Sequence, residues 1–292
     1  MIDIEYKKEI ATGIKTKNIY KPNQNADYKI SRSKFDNFKK CQRCFYFDVV
    51  KGFVEPGTPG WALNSQTDAL LKKEFDRYRK EEKAHPYFSQ EGITEVIPYK
   101  NNNIARNYDG HIIKSSKIKK PYSIMDAWRS NHHGVSIRYK QTNLILYGAV
   151  DDIWLNTKTN ELIVVDYKSQ AKGESVDPET YFDEKYKLDY LRQLNFYAYL
   201  LRNQIGELKD LKISKKAYLC VVNARGLEDS FSNKLVFEPK LISVTLDEKD
   251  KDINEEINNM LHIMNSEQVP KPNKKCKNCA YSKRRAEFDM LK

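Results

Sequence analysis

The chain has 292 residues, 40% of them hydrophobic, which is enough to bury the core of one large domain or two small ones. Its 51 Lys and Arg exceed its 40 Asp and Glu, and the resulting charge of +11 favours a polyanionic partner, although a solvated Lys-rich surface gives the same total. The opening residues MIDIEYKKEI mix acids and lysines, and no apolar stretch approaches the ~18 residues of a membrane span. We therefore expect a cytoplasmic protein with no signal peptide and no membrane span.

The N-terminal part of the sequence predicts two helices. Residues 31–50, SRSKFDNFKKCQRCFYFDVV, begin with a Ser suited to cap a short helix that ends near the first cysteines. After the turn-rich segment KGFVEPGTPG, the segment LNSQTDALLKKEFDRYRKEEK predicts a strong helix capped by Asn64 or Ser65. Three residues share one face of this helix: Asp68, Leu71 and Phe75. Residues 84–135 are poorly patterned, and we expect an irregular insertion there.

From residue 136 the pattern changes to strands separated by turn residues. The predicted strands are SIRYK, NLILYGAVDDIWLN, ELIVVDYKS, KKAYLCVVN and KLVFEPKLISVTL. Residues 183–203 predict an amphipathic helix whose apolar stripe is Leu188, Leu191, Leu194, Ala198 and Leu201. A surface helix, DEKDKDINEEINNMLHIMNS, and a basic tail follow. This order predicts an α/β fold with a mixed central β-sheet flanked by helices.

Two carboxylates and a lysine are expected to meet on one hairpin. If the four residues TKTN close the hairpin between NLILYGAVDDIWLN and ELIVVDYKS, Asp151 lies opposite Asp166. Side chains alternate along a strand, so Lys168 points to the same face as Asp166. The alternative is an ordinary salt bridge at a sheet edge, but the apolar flanks LILYGAV and ELIVV argue against an exposed position.

This arrangement predicts a divalent metal site. Two facing carboxylates repel one another unless a cation or a proton lies between them. Mg²⁺ prefers oxygen ligands, so Asp151, Asp166 and the backbone carbonyl of Tyr167 are candidate ligands, with waters completing the shell. Lys168 would then orient the attacking water or stabilise charge on a phosphate.

Three motifs resemble the RecB-like, exonuclease V type branch of the PD-(D/E)XK nucleases. They are GAVDDIW with Gly148 and Asp151, VVDYKS with Asp166 and Lys168, and RQLNFY with Gln193 and Tyr197. The resemblance runs from SRSKFDNFKKCQRCFYF to CKNCAY, with 84–135 poorly matched. It implies a restriction-endonuclease-like core in which Asp151, Asp166 and Lys168 form the metal site. Gln193 and Tyr197 would position DNA or the lysine; the alternative is only a polar helix edge, because i and i+4 residues adjoin on any helix.

The sequence departs from this family in one metal ligand. The family usually places a His on the helix before the sheet, but LNSQTDALLKKEFD contains none. Asp68 occupies the most similar position and is the expected substitute, with Glu74 as the alternative. An inward Asp can equally be a salt-bridge partner. If neither acid reaches the metal, the site would be weakened or inactive.

Four of the five cysteines form two CxxC pairs: Cys41 with Cys44, and Cys276 with Cys279. Four thiolates suffice for a tetrahedral zinc ion or a 4Fe-4S cluster, and either would join segments 31–50 and 267–285. The resemblance implies an iron–sulfur cluster, but that branch typically has one early and three late cysteines, so Zn²⁺ is the alternative. Cys220, in the apolar run AYLCVV, is expected to be a buried hydrophobic residue.

Basic and aromatic residues accompany the cysteines in sequence. The basic residues are Lys271, Lys274, Lys275, Lys277, Lys283, Arg284 and Arg285, and the aromatic ones are Phe45, Tyr46 and Tyr281. Such an edge would bind a DNA strand by phosphate contact and base stacking. The alternative is a solvated tail.

Together these features predict one nuclease domain over residues 1–292, with a catalytic core at about 60–225. The expected reaction is Mg²⁺- or Mn²⁺-assisted hydrolysis of single-stranded DNA or duplex ends, in repair, recombination, phage replication or defence. Because the chain has no Gly-rich phosphate loop, any unwinding would come from a helicase or other repair partner. Two other hypotheses are a catalytically inactive nucleic-acid-binding module and a zinc-thiolate interaction protein whose acids are structural.

Overall fold

The computed structural model describes residues 12–57, 60–115, 119–225, 236–247 and 250–291. Several sequence predictions extend beyond these ranges. They are the opening segment at 1–11, residues 58–59 of the turn-rich segment, residues 116–118 of the expected irregular insertion, residues 234–235 of the last predicted strand, and residues 248–249 of the surface helix. Among the described residues, no helix is long and apolar enough to cross a membrane.

The described helices are α1 (Arg32–Lys40), α2 (Gln42–Val49), α3 (Ala62–Glu81), α4 (Pro86–Gln90), α5 (Ile124–Trp128), α6 (Leu188–Arg202), α7 (Asp250–Asn265) and α8 (Lys277–Asp289). The strands are β1 (Tyr28–Ser31), β2 (Val96–Pro98), β3 (Val135–Arg138), β4 (Leu144–Gly148), β5 (Asp152–Asn156), β6 (Glu161–Ala171), β7 (Lys216–Arg225) and β8 (Val236–Thr245). The chain divides into two compact units. The first contains the described residues of Met1–Pro59, Arg138–Leu146 and Lys249–Lys292, and the second those of Gly60–Ile137 and Tyr147–Glu248.

The second unit is built on a five-stranded sheet of order β2-β5-β6-β7-β8. Strands β6 and β7 are parallel, and the other neighbouring pairs are antiparallel. The parallel pair requires a crossover connection, and α6 lies within it. The prediction of a mixed central sheet flanked by helices is therefore confirmed. A further, three-stranded sheet has the order β1-β4-β3.

One face of the five-stranded sheet carries an aromatic core. Phe75 of α3 packs there with Phe88 and Trp154, with ring centroids 5.8 and 5.3 Å from Phe75. Val165 and Cys220 belong to the same buried cluster, so Cys220 is the buried hydrophobic residue that the sequence predicts. Leu71 packs against this cluster, as expected from its place on the face of α3 that carries Phe75.

Helix α6 begins at Leu188, five residues after the predicted start, because 3-10 turns occupy Tyr181–Asp183 and Lys185–Lys187. Leu188 itself is exposed, so its predicted place on the apolar stripe is wrong. From Phe196 to Leu201 every residue is buried, because this half of α6 is enclosed on all sides.

Three local predictions need correction. Helix α3 begins at Ala62 with Trp61 at the cap position, so Asn64 and Ser65 lie inside the helix and do not cap it. The predicted strand NLILYGAVDDIWLN forms two strands, β4 and β5, in different sheets. Residues 84–135 are less irregular than expected, since they contain α4, α5 and the edge strand β2, which pairs with β5.

The first unit has its own buried residues. Ser31 caps α1, as predicted, by accepting a hydrogen bond from the Lys34 N–H at 3.3 Å. The fully buried side chains of the first unit include Phe45 and Tyr46 of α2 and Ile257 and Met260 of α7. The Tyr46 hydroxyl donates to the Ser266 carbonyl at 3.0 Å, which attaches the early helix to the segment after α7.

Candidate active site and cysteine site

The predicted register of the β5–β6 hairpin is confirmed. Asp152 pairs with Val165 and Asn156 with Glu161. Asp151 therefore lies one residue before the first pair, and Asp166 one residue after it. The Tyr167 N–H donates to the Asp151 Oδ2 at 2.8 Å, which holds the Asp151 carboxylate against β6 beside Asp166.

Asp166 lies at the centre of a polar cluster on the α6 side of the sheet. Its side chain is fully buried, and its two oxygens have different partners: Oδ2 forms an ion pair with Lys168, and Oδ1 accepts a 2.5 Å hydrogen bond from the Gln193 amide. Lys168 also donates to the Gln193 Oε1 at 3.2 Å. The Gln193 amide therefore contacts both the acid and the lysine, and it fixes their relative position.

Two tyrosines of α6 flank this cluster. The Tyr197 hydroxyl accepts a 3.1 Å hydrogen bond from Gln193, so of the two predicted α6 residues Gln193 contacts Asp166 directly and Tyr197 contacts Gln193. The Lys168 ammonium lies over the Tyr190 ring, 4.7 Å from its centroid, in cation–π geometry. Tyr190 is not among the site residues that the sequence predicts. Its signal was the i−3 position relative to Gln193, which places it on the same helix face.

The electrostatics of Asp151 follow from its neighbours. Burial and the nearby charge of Asp166 raise the pKa of Asp151 to about 7, against the lowering effects of Lys168, Lys72 and the Tyr167 N–H. Two carboxylates that destabilise each other's ionised form favour a proton or a cation between them. The donor set of two carboxylates therefore fits a hard divalent ion, which prefers oxygen ligands.

The two α3 candidates for the third acidic metal ligand, Asp68 and Glu74, both contact other side chains. Lys72 pairs with Asp68 at 2.8 Å and lies 3.7 Å from Asp151, so its ammonium is between the two acids. This contact corresponds to the salt-bridge alternative for Asp68. Among the described residues, Asp68, Asp151 and Asp166 are not brought together as a group of three acids that could hold a metal ion. Glu74 contacts His85 and Arg77, at 3.3 and 3.2 Å.

Asp152, the second acid of GAVDDIW, belongs to a different network. Its fully buried carboxylate forms an ion pair with Arg79 of α3. It also accepts hydrogen bonds from the Tyr167 hydroxyl at 2.8 Å and the Trp154 indole at 3.2 Å. These partners neutralise and saturate Asp152, so it stabilises the fold on the sheet face that carries Phe75.

The four paired cysteines meet in the first unit, as predicted. Their sulfurs all lie within 4.8 Å of one another, and among the described residues they form the group of three or more His, Cys, Asp or Glu side chains that could hold a metal ion together. Burial raises the pKa of Cys41, but hydrogen bonds from the backbone N–H groups of Asn273 and Cys44 and from neighbouring thiols outweigh it and lower this pKa to about 7. The Cys41 site therefore favours the thiolate that a metal requires. Burial and the neighbouring sulfurs raise the pKa of Cys44, and burial raises the pKa of Cys279 to about 11, so these two thiols lose their protons more readily when a cation lies between the sulfurs.

The predicted basic and aromatic edge is only partly present. Tyr281 on α8 is 65% exposed, but Phe45 and Tyr46 are fully buried, so their expected contribution to base stacking is wrong. The reason is that α2 uses both rings for the core of the first unit. The basic side chains of α8 are exposed, and they pair with acids of the same helix: Lys283 with Glu287 and Arg285 with Asp289.

A mixed sheet whose central hairpin presents two carboxylates and a lysine beside a helical Gln defines the class of nucleases with a restriction-endonuclease-like fold. The family model described as the PD-(D/E)XK nuclease superfamily matches residues 29–284. The chain therefore belongs to the PD-(D/E)XK nuclease superfamily, and the fold implied by the resemblance is confirmed. A search of curated proteins found no match to this chain.

Proposed function

We propose that this protein hydrolyses DNA phosphodiester bonds with a divalent metal ion, Mg²⁺ or Mn²⁺, bound by Asp151 and Asp166. The observation that carries the proposal is the meeting of these two carboxylates and Lys168 at the end of one hairpin. When bound there, a divalent ion supplies Lewis-acid activation of water and neutralises charge on the phosphate. The family match supports a nuclease, and the charge of +11 supports a polyanionic substrate.

Lys168 is proposed as the residue that contacts the reacting phosphate. A lysine ammonium carries three hydrogens, and Asp166 and Gln193 accept two of them. The third can be donated to a phosphate oxygen or to the attacking water. Because Asp166, Gln193 and the Tyr190 ring hold the ammonium in place, little reorganisation is needed when charge develops in the transition state.

The other α6 residues position these groups. Gln193 links Asp166 to Lys168, and Tyr197 orients the Gln193 amide through its hydroxyl. The Tyr167 carbonyl stays a proposed metal ligand, while the Tyr167 N–H orients Asp151. Asp68 is proposed as the third acidic ligand only if the Lys72 ammonium moves away, because Lys72 now lies between Asp68 and Asp151.

The test is a cleavage assay with a matched pair of lysine variants. The wild type is incubated with single-stranded DNA and with duplex ends in Mg²⁺ and in Mn²⁺. Lys168→Ala is expected to lower the cleavage rate by about 10²–10³-fold, the loss typical of removing one preorganised charge-stabilising donor. Lys158→Ala is the control, because Lys158 lies in the turn of the same hairpin and its side chain is 74% exposed.

The outcomes separate the three functions. Metal-dependent cleavage that requires Lys168 and not Lys158 supports the nuclease. DNA binding without cleavage in either metal would identify an inactive binding module with a nuclease fold. Neither binding nor cleavage would leave a thiolate-site interaction protein whose acids are structural. Membership of the RecB-like branch and a helicase partner are further proposals, and both depend on metal-dependent cleavage being found. Degradation that starts only at DNA ends would support them.

A further inference from the structure

The distances between the cysteine sulfurs distinguish the two kinds of metal centre that four thiolates can hold. The Cys44 Sγ lies 3.5 Å from the Cys276 Sγ and 3.4 Å from the Cys279 Sγ. The Cys41 Sγ lies 3.7 Å from the Cys279 Sγ. All four sulfurs lie within 4.8 Å of one another.

These distances match one small ion and do not match a cubane. A tetrahedral zinc ion with Zn–S bonds of ~2.3 Å requires sulfurs ~3.8 Å apart. In a 4Fe-4S cluster each cysteine binds a different iron and points outward from its corner, so its sulfurs lie roughly 6 Å apart. A cubane would need every sulfur pair here to separate.

The ligands also have a symmetric arrangement. Cys41 is the N-cap residue of α2 and Cys276 is the N-cap residue of α8, so each CxxC pair lies at the first turn of a helix. In α8 the Cys276 sulfur accepts a hydrogen bond from the Cys279 N–H at 3.4 Å. In both helices the positive end of the helix dipole therefore lies at the CxxC pair, which favours thiolates.

Polar contacts around the sulfurs also hold the two CxxC pairs beside each other. The Asn278 amide donates to the Cys44 Sγ at 3.8 Å and to Glu55 at 2.8 Å. The Asn273 amide donates to the Lys40 carbonyl at 3.0 Å, one residue before the first cysteine. These contacts orient the ligands in the way that outer partners orient the ligands of a metal.

We infer that the four cysteines hold a single tetrahedral zinc ion in place of the iron–sulfur cluster that the family resemblance implies. Zinc has no redox chemistry, so this centre stabilises the first unit and transfers no electrons. Its binding energy contributes directly to folding, because thiolates from residues 232 apart must meet to form it. The inference concerns a different site from the proposed nuclease centre and does not depend on it.

The direct test is metal analysis of the full chain purified without oxygen or added metal. We expect one zinc per chain, negligible iron, no acid-labile sulfide and no brown colour. Iron and sulfide near four per chain, with broad visible absorption, would overturn the inference. A protein that contains neither metal and takes up no zinc when it is added would overturn it as well.

A variant pair assigns the ion to these thiols. Cys276→Ser is expected to lose the zinc, whereas Cys220→Ser keeps it because Cys220 lies in the core of the second unit. If Cys276→Ser does not fold, the zinc of the wild type is exchanged for cobalt as the alternative experiment. The expected result is the intense visible absorption of a tetrahedral cobalt thiolate. Full zinc retention in Cys276→Ser, or a cobalt spectrum without thiolate bands, would contradict the assignment.

Discussion

The main-chain N–H of Tyr167 donates a 2.8 Å hydrogen bond to the carboxylate of Asp151, across the open end of the β5–β6 hairpin. The bond places an acid that lies just outside the paired strand next to Asp166. It also favours the ionised form of Asp151, against burial and the repulsion from Asp166 that raise its pKa. The pKa of Asp151 therefore depends on whether a proton or a cation lies between the two carboxylates.

Metal binding is expected to depend on pH through Asp151. With a pKa of about 7, Asp151 holds a proton that a metal must displace at lower pH. The Mn²⁺ affinity should rise about tenfold per pH unit below pH 7 and level off above it. Calorimetric titration with Mn²⁺ at pH 6, 7 and 8 measures this. An affinity that is constant across this range would contradict the expected proton competition.

The stability of the metal-free protein should depend on the same group with the opposite sign. Because the folded-state pKa of Asp151 is raised above its unfolded value of ~3.9, its stabilising contribution is complete below that value. It is lost as the pH rises through about 7. Asp151→Asn should therefore be more stable than the wild type at pH 8, and this advantage should shrink at pH 5, as measured by urea unfolding in EDTA.

Lys72 is expected to compete with the metal. Its ammonium lies between Asp68 and Asp151, so Lys72→Met should increase the Mn²⁺ affinity severalfold by removing a positive charge from the site. Lys73→Met is the control, because Lys73 is the adjacent lysine and its side chain is exposed. An Mn²⁺ affinity that is unchanged in both variants would mean that the Lys72 ammonium does not compete with the metal. Combining Lys72→Met with Asp68→Asn then measures whether Asp68 binds the metal.

Tyr190 should act on catalysis through Lys168. Tyr190→Phe keeps the ring under the ammonium and should cleave at close to the wild-type rate. Tyr190→Leu removes the cation–π contact and should lower kcat by about tenfold. Steady-state kinetics with a fluorescent DNA substrate measure kcat and KM separately. A loss in both variants would assign the effect to the hydroxyl and contradict the role of the ring.

The Arg79–Asp152 ion pair should contribute strongly to stability. Arg79→Ala leaves a fully buried carboxylate without its cation and should lower the free energy of unfolding by about 3–5 kcal/mol. Arg77→Ala is the matched control on the same helix, since the Arg77 side chain is 71% exposed, and it should change stability by under about 0.5 kcal/mol. Urea unfolding followed by tryptophan fluorescence compares them, and equal losses would contradict this account.

Gly134 is expected to tolerate no side chain. It has φ +64°, and a Cβ added there would lie 2.6 Å from the carbonyl carbon and oxygen of Gly148, which precedes the metal site in sequence. Gly134→Ala should therefore destabilise the protein by about 1–3 kcal/mol. Gly173→Ala meets no atom within 4 Å and is the control. Thermal unfolding of the two variants distinguishes them, and similar melting temperatures would argue against the close backbone approach.

The hairpin was predictable because its pattern is local. A four-residue turn and period-two alternation determine which residues face each other, so the positions of Asp151, Asp166 and Lys168 follow from the sequence. The two CxxC pairs were predictable for a different reason, since thiol pairs at this spacing rarely lack a ligand role. Neither prediction required knowledge of how the helices pack.

The contacts of α3 and the end of the strand β4 were not predictable in this way. The position of Lys72 between two acids depends on how α3 lies against the sheet, which no short-range pattern specifies. The run NLILYGAVDDIWLN is continuous in hydropathy, yet β4 ends at Gly148 and β5 joins another sheet. Pro98, in contrast, was a usable signal for β2, because a strand containing proline belongs at a sheet edge.

The first unit is assembled from three separate stretches of chain, and this determines the order in which the protein can mature during translation. The second unit is complete in sequence before α7 begins, so it can fold while the ribosome is still adding residues. Cys44 emerges 232 residues ahead of Cys276. The early thiols therefore remain without their partners until the later pair has been synthesised, and the four-sulfur site cannot form before that point.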